Sequence, residues 1–270
     1  MDILDRKLFG DFIITYRQGS VDAALIMKEF SNPHDALKRG RGEIKILPMG
    51  NKLLACRKYI HGGLLRGITG DIFFSEKRAA AELEIMVFLE ERGFPVVHPC
   101  GYITKNNLLT KDLYLLTLFE ENAHDFLEFM RLSPRKERLR AVKNLALLFS
   151  EMAKLGIYHP DFHLQNVLVT QKRRILFLDF DKAYRKTITK RDFKKMLWRL
   201  NRFADKKAKT GEFSATLEEK AFFTRIVERA TGHHLIEDIK KEFTEKRRFR
   251  DVGWFLESFF YRKNRNSPLT

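Results

Sequence analysis

Cysteine is nearly absent. Cys56 and Cys100 are the only two in 270 residues, they lie far apart, and neither belongs to a CxxC or Cys/His pattern. That excludes a disulfide framework and a zinc site of the usual spacings, and it makes a reducing compartment the expectation. Long apolar runs are missing too. No stretch approaches the ~18 apolar residues that mark a bilayer span, and the opening MDILDRKLFGDF has no apolar core of the signal-peptide kind. Any membrane contact is therefore expected to be peripheral. Repeats and low-complexity linkers are lacking. Acidic residues are in deficit: 35 Asp and Glu face 51 Lys and Arg, a net charge of +16. Solubility does not require so large a surplus, which points to an anionic partner such as nucleic acid, a phosphorylated ligand or a membrane surface.

What is present suffices for a real core. The chain is 44% hydrophobic, and its length allows one large domain or two lobes sharing a cleft. SVDAALIMKEF (20–30) reads as a short helix capped by Ser20. GRGEIKILPMGNKLLACRKY (40–59) reads as strand, Pro-Met-Gly-Asn turn and strand, with Gly40 and Gly42 on the approach. Residues 75–92 carry apolar positions at helical spacing and stop at Gly93; FPVVHPCGYIT and DLYLLTLF then read as two more strands. From Ser133 the pattern turns helical, with Ser133 as N-cap, Pro134 at the first helical position, and Leu139, Val142, Leu145, Phe149 and Met152 on one stripe.

Between two apolar runs stands IYHPDFHLQNVLV, followed by ILFLDFDKA. Charged and amide side chains at such a place are costly unless they have work to do. Asp161 and Asn166 are five residues apart, and Asp179 follows thirteen residues later, the arrangement H-x-D-x-x-x-x-N then D-F of protein-kinase-like phosphotransferases. Phosphoryl transfer needs positioning and charge neutralisation more than covalent chemistry. One carboxylate, Asp161, orients and accepts the proton of an attacking hydroxyl. Asn166 and Asp179 offer the hard oxygens that magnesium prefers, so ATP and Mg2+ are the expected cofactors. His159 and His163 are candidate members of the catalytic loop, His159 as a packing and hydrogen-bonding support. Asp181 is a candidate metal or substrate ligand, or else a turn residue.

The remaining parts are sought upstream. Gly40 and Gly42 would let backbone approach the phosphates closely. For the cation that grips them, the strand LLACRKY offers Arg57 and Lys58; Ala55 and Arg57 share a face, as the Ala and Lys of V-A-I-K do, which favours Arg57. Glu82, mid-helix and four residues after Arg78, is the expected partner of that cation, with Glu84 as competitor. LTLFEEN (116–122) is where a hinge would present backbone to adenine. The fold class expected is α+β, protein-kinase-like, with residues 1–119 as an antiparallel-sheet lobe carrying one long helix and 120–270 as a mainly helical lobe.

RGRGEIKIL, CRKYIHGGLLRG, AAAELEIMVFLEERGFPVVHP, IYHPDFHLQNVLV, FLDFDKA and RDFKKMLWRLNRF together resemble the bacterial lipopolysaccharide kinase family over about residues 38–205, closest to its 3-deoxy-D-manno-octulosonic acid (Kdo) kinase branch. The resemblance implies a protein-kinase-like fold, transfer from ATP to a sugar hydroxyl of the lipopolysaccharide inner core, an anionic Kdo-lipid A type acceptor, and a place at the cytoplasmic face of the inner membrane. It implies Asp161 as base, Asn166 and Asp179 as metal ligands, Arg57 as strand cation and Glu82 as its partner. Departures fall at Ile60-His61, at Pro160, at His163 where protein kinases usually carry Lys, and at Asp181 in place of the Gly of D-F-G. This last change leads to the expectation of a constitutively assembled site.

The surplus charge is concentrated. Between Arg185 and Lys209 stand eleven Lys or Arg against two Asp, while Phe193, Met196, Leu197, Leu200 and Phe203 recur at helical spacing. The apolar stripe suits a core and the basic face suits anionic lipid or acceptor phosphate; a second basic and aromatic stretch spans 240–265. Nucleic acid is not expected. The alternatives are a heptose, aminoglycoside- or choline-type kinase, a Ser/Thr protein kinase, for which no A-P-E element follows, or a non-catalytic kinase-shaped module binding membrane or nucleic acid.

Overall fold

A computed structural model describes residues 4–32, 36–39, 42–60 and 73–233. Seven strands form one antiparallel sheet, β1 (Leu4–Phe9), β2 (Phe12–Arg17), β3 (Ala36–Arg39), β4 (Gly42–Met49), β5 (Lys52–Lys58), β6 (Pro99–Asn106) and β7 (Lys111–Leu118), in the order β1-β2-β6-β7-β5-β4-β3. The two faces of the sheet are covered differently. On one, helix α1 (Ala23–Ser31) buries Ile26, Met27 and Phe30 against Ile14, Leu47, Leu54, Cys56 and Ile103. On the other, α2 (Lys77–Glu90) buries Leu83, Met86 and Leu89 against Tyr102, Leu113 and Leu115.

That second core does not stop at the sheet. It runs on without a break through α3 (Phe126–Leu132), α4 (Arg135–Lys154), α5 (Lys190–Lys209) and α6 (Leu217–Thr231), with Phe149, Phe162, Phe177, Phe180 and Phe193 fully or nearly fully buried. Cys56 and Cys100 are both buried free thiols, and burial pushes each up to about 12, which leaves them unreactive as nucleophiles.

Short strands carry the polar loops. After β8 (His124–Asp125), β9 (Ile157–Tyr158) pairs with β12 (Tyr184–Arg185), while β10 (Val167–Val169) and β11 (Ile175–Phe177) form a hairpin in the register Leu168↔Leu176. The two apolar runs that flank the polar cluster are therefore partners, and their pairing holds residues 159–166 and 178–183 side by side.

Local chemistry corrects three sequence expectations. The first helix is capped by Asp22, whose carboxylate accepts from Ala24 and Leu25 N–H, whereas the Ser20 hydroxyl is spent on the Arg17 and Cys100 carbonyls. The β1–β2 hairpin was not expected, although Gly10-Asp11 between two alternating runs is a hairpin signal. Helicity also begins before residue 133, because Asp125 caps α3 by accepting from Glu128 N–H.

Gly101 sits where β6 is irregular, between the pairs Pro99↔Thr117 and Gly101↔Leu116. A Cβ there would stand 2.2 Å from the Thr15 carbonyl oxygen and 2.7 Å from the Tyr16 Cα, both backbone atoms of the adjacent strand β2. Backbone cannot step aside as a side chain end can. Gly101→Ala is expected to cost about 3 kcal/mol and to lower Tm by roughly 10 °C for a chain of this size, measured by circular dichroism on heating.

Candidate active site

Strand β5 and helix α2 supply the first half of the site. Alternation puts Ala55 and Arg57 on one face of β5 and Cys56 and Lys58 on the other. Ala55 and Arg57 line a cleft with Ile44, Met86, Leu115, Leu168 and Asp179, closed on one side by Thr117–Glu120. The hinge expected at 116–122 thus borders the cleft, although the Leu118 and Phe119 N–H groups are already donated to the His98 and Leu53 carbonyls. Lys58 is excluded from the cleft by the same alternation. Its ammonium pairs with Asp112 at 2.9 Å and lies over the Tyr114 ring, which removes it from the phosphate-gripping candidates. Gly42 is the first residue of β4; Gly40 and the 240–265 stretch lie outside the described residues.

Glu82 lies on the core stripe of α2 among Ala79, Leu83 and Met86, a place where a carboxylate must be fully partnered. It is. Arg57 Nη2 donates to both its oxygens at 2.8 and 2.9 Å, Tyr59 Oη donates at 2.6 Å, and the Phe180 N–H donates at 2.9 Å. Glu84 is exposed and takes no part. Burial pushes the Glu82 carboxyl up to about 7 against the pull of Arg57. Burial also works against the charge on Arg57, but Glu82 and Asp179 more than offset it and hold the guanidinium above its ordinary value. The two shifts pull opposite ways on one pair. With every one of these contacts a donor to the carboxylate, the ionised form of Glu82 is the one the geometry favours.

The second half comes from the 157–183 region. Asp179 has φ 65, a left-handed conformation unusual for Asp, and its carboxylate faces Arg57 Nη1 at 3.5 Å. Burial raises its pKa, yet the Arg57 guanidinium, helped by the Asp181 backbone N–H, outweighs that and keeps it below the ordinary carboxylate value. Asn166 ends a 3-10 turn, Leu164–Asn166, and its carbonyl accepts from Leu178 N–H at 3.0 Å, tying the two loops together. Its side-chain amide makes no hydrogen bond among the described residues. Asp179 and Asn166 are the hard oxygen donors that could hold a magnesium ion. Magnesium is commonly held by one or two protein oxygens, with water and substrate phosphate filling its other positions.

His159, a catalytic-loop candidate expected in a supporting role, has the geometry of a strut. It is buried, its Nε2 is 2.9 Å from the Asp179 carbonyl, and its ring packs on Phe162 and Phe180. A carbonyl only accepts, so Nε2 carries the proton and Nδ1, buried without a partner, does not. Burial pushes this imidazole down to about 4, leaving it neutral. His163 is stacked on Phe203 of α5 at 4.6 Å and 13°, and burial lowers it too. Held neutral and pinned, it supplies no charge where a kinase lysine would.

The Asp181 carboxylate is engaged by a cation. It is gripped by both Nε and Nη2 of Arg78, and Arg78 also lies over the Tyr59 and Phe73 rings. Sequence reasoning passed over Arg78 and Tyr59, although both carry a signal: Arg78 precedes Glu82 by one helical turn, and Tyr59 alternates with Arg57. Asp161 is a third exposed and is held on Oδ2 by Lys182 Nζ at 2.7 Å and on Oδ1 by Arg199 of α5. Its partial burial raises the pKa, and the two cations bring it below the ordinary carboxylate value. Nothing local signals Arg199, which lies thirty-eight residues from Asp161.

A family profile described as "Lipopolysaccharide kinase (Kdo/WaaP) family" matches residues 37–221. The chain is similar to proteins named 3-deoxy-D-manno-octulosonic acid kinase. It is 26% identical to that of Vibrio parahaemolyticus over 53% of the chain and 61% of the relative, and 26% identical to that of Vibrio vulnificus over 67% and 80%. With that of Vibrio cholerae it shares 25% identity over 54% and 63%. The chain thus spans about three fifths of two of these relatives and four fifths of the third.

Proposed function

Because the chain belongs to the lipopolysaccharide kinase (Kdo/WaaP) family, we propose that it transfers the γ-phosphoryl group of ATP to a sugar hydroxyl of the lipopolysaccharide inner core, with Kdo on lipid A as acceptor. The observation that carries this reading is the junction at Glu82. One buried carboxylate joins the β5 cation, the α2 helix and the Asp179-Phe180 segment beside a cleft, and phosphoryl transfer needs that assembly of separate parts.

In this reading residues 1–119 and 120–270 act as two lobes that enclose the nucleotide between them. Arg57 grips its phosphates, oriented by Glu82. Asp179 and Asn166 hold magnesium, which when bound neutralises charge on the phosphates. Asp161 orients the acceptor hydroxyl and takes its proton. Arg78 fastens Asp181, so that the segment bearing Asp179 stays in place without an activating signal. The exposed Arg191, Lys195, Arg202 and Lys206 of α5 face anionic lipid, each adding about 1 kcal/mol of attraction where well placed; Phe193, Met196, Leu197 and Leu200 are buried and serve the core. No described helix is long and apolar enough to cross a membrane.

The acceptor is tested by offering ATP, Mg2+ and purified protein three glycolipids: lipid A alone, Kdo-lipid A, and a heptose-extended core whose Kdo hydroxyls are blocked. Label is expected only on Kdo-lipid A. Label on the blocked heptose core would move the acceptor to heptose.

A further inference from the structure

Both oxygens of the proposed base are already occupied. Lys182 Nζ holds Oδ2 of Asp161 at 2.7 Å and the Arg199 guanidinium holds Oδ1, so an acceptor hydroxyl must share an oxygen with a cation that makes it a weaker proton acceptor. An incoming anion competes for these two cations better than water does. The side chains of Lys182 and Arg199 are 55% and 39% exposed, so both are within reach of an incoming ligand. On the nucleotide side that task is taken: Arg57 stands beside Asp179 at 3.5 Å. The position where protein kinases place a lysine holds neutral His163, stacked on Phe203. Two cations thus surround the place where the acceptor hydroxyl must arrive, and they come from the Asp179 loop and from α5, not from the strand that grips phosphate.

We infer that Lys182 and Arg199 form the recognition site for a carboxylate carried by the acceptor sugar, and that binding of this carboxylate draws them off Asp161 and so frees the base. The inference rests on the sugar-acid reading of the proposed function and adds to it the residues that read the acid. A guanidinium takes a carboxylate with paired N–H donors, and the lysine supplies a third. Once freed, Asp161 accepts the acceptor O–H proton while the acceptor oxygen bonds to the γ-phosphorus and the bond from that phosphorus to the ADP oxygen breaks, ADP leaving. Without the carboxylate, Asp161 stays engaged, and water is a poor substitute acceptor.

The test compares Kdo-lipid A with the same glycolipid whose sugar carboxylate is converted to the primary amide, using the full-length protein. With wild type, the amide should raise acceptor KM and lower kcat/KM by about ten- to a hundredfold, the range expected for hydrogen bonds to a charged group. In Lys182→Met the gap between the two acceptors should narrow, and in Lys182→Met/Arg199→Met it should nearly close, with KM for ATP within about twofold of wild type in both. Lys182 is exposed enough that its single variant keeps the fold should the double variant lose it. Equal use of both acceptors by wild type overturns the inference and leaves the sugar kinase reading standing. A rise in KM for ATP instead of for acceptor overturns it in favour of the γ-phosphate as the anion. Use of neither acceptor by wild type overturns both readings together.

Discussion

Asp161→Asn is expected to lower kcat for phosphoryl transfer by about 10²–10⁴-fold, the usual worth of a positioned proton acceptor, while the nucleotide still binds. The amide keeps the shape of the carboxylate and can hold a hydroxyl, but it does not take a proton. Asp161 is not a structural linchpin: its side chain is 32% exposed, and its partners Lys182 and Arg199 can turn to water, so the melting temperature should hardly move. A pH profile adds a second reading. Lys182 and Arg199 keep the Asp161 carboxyl below its ordinary value against the opposing effect of burial. Burial holds His159 down to about 4, and it lowers His163 as well. The acid limb of kcat/KM, which reports the free enzyme, should therefore lie at or below the ordinary carboxylate range, with no imidazole contribution near ~6.5, where an unperturbed histidine titrates. An inflection there that vanishes in His163→Gln would return the proton to that histidine.

Glu82→Ala is expected to lose both activity and stability. Truncation leaves Arg57 without its buried counter-ion, and it orphans the Tyr59 hydroxyl and the Phe180 N–H, which all now end on this one carboxylate. Removing one partner of a buried pair costs about 3–5 kcal/mol, and for a chain of this size that corresponds to a fall of roughly 10 °C in Tm. Transfer should fall at least a hundredfold, because Arg57 and the Asp179 segment both lose their fixed position, and misplacement of about 1 Å is enough for such a loss. Glu82→Gln separates the two effects. It retains the shape and an acceptor oxygen for Tyr59 or Phe180 but not the charge that holds Arg57, so only the part of the stability due to shape and that hydrogen bond should return, and little of the activity. Calorimetry on both variants alongside kcat/KM checks this, and full activity in Glu82→Ala would detach the junction from the reaction.

How far these side chains could be read in advance depended on how local their cause is. The strand period alone puts Arg57 with Ala55 on the cleft face and turns Lys58 away, because successive residues of a strand point opposite ways. Glu82 is marked by contradiction: a carboxylate within the stripe Ala79, Leu83, Met86 must be paired or misplaced. The spacing of Asp161, Asn166 and Asp179 is visible because one hairpin, β10 with β11, joins their loops within a short stretch of chain. Contacts made across the fold are another matter. Arg199 reaching Asp161 and Arg78 reaching Asp181 span thirty-eight and 103 residues, and no periodicity encodes them. For that reason the sequence leaves Asp181 open between a metal or substrate ligand and a turn residue, whereas in the fold a guanidinium holds it. The β1–β2 hairpin, by contrast, was legible in Gly10-Asp11 and the alternation around it.

The most direct test of the account is transfer itself. Purified wild-type protein, ATP labelled at the γ position, Mg2+ and Kdo-lipid A are mixed, and the glycolipid is recovered and weighed by mass spectrometry. The account predicts a glycolipid heavier by one phosphate and carrying the label, with Asp161→Asn leaving it unchanged over the same time. A glycolipid of unaltered mass, or one phosphorylated equally well by Asp161→Asn, would contradict it.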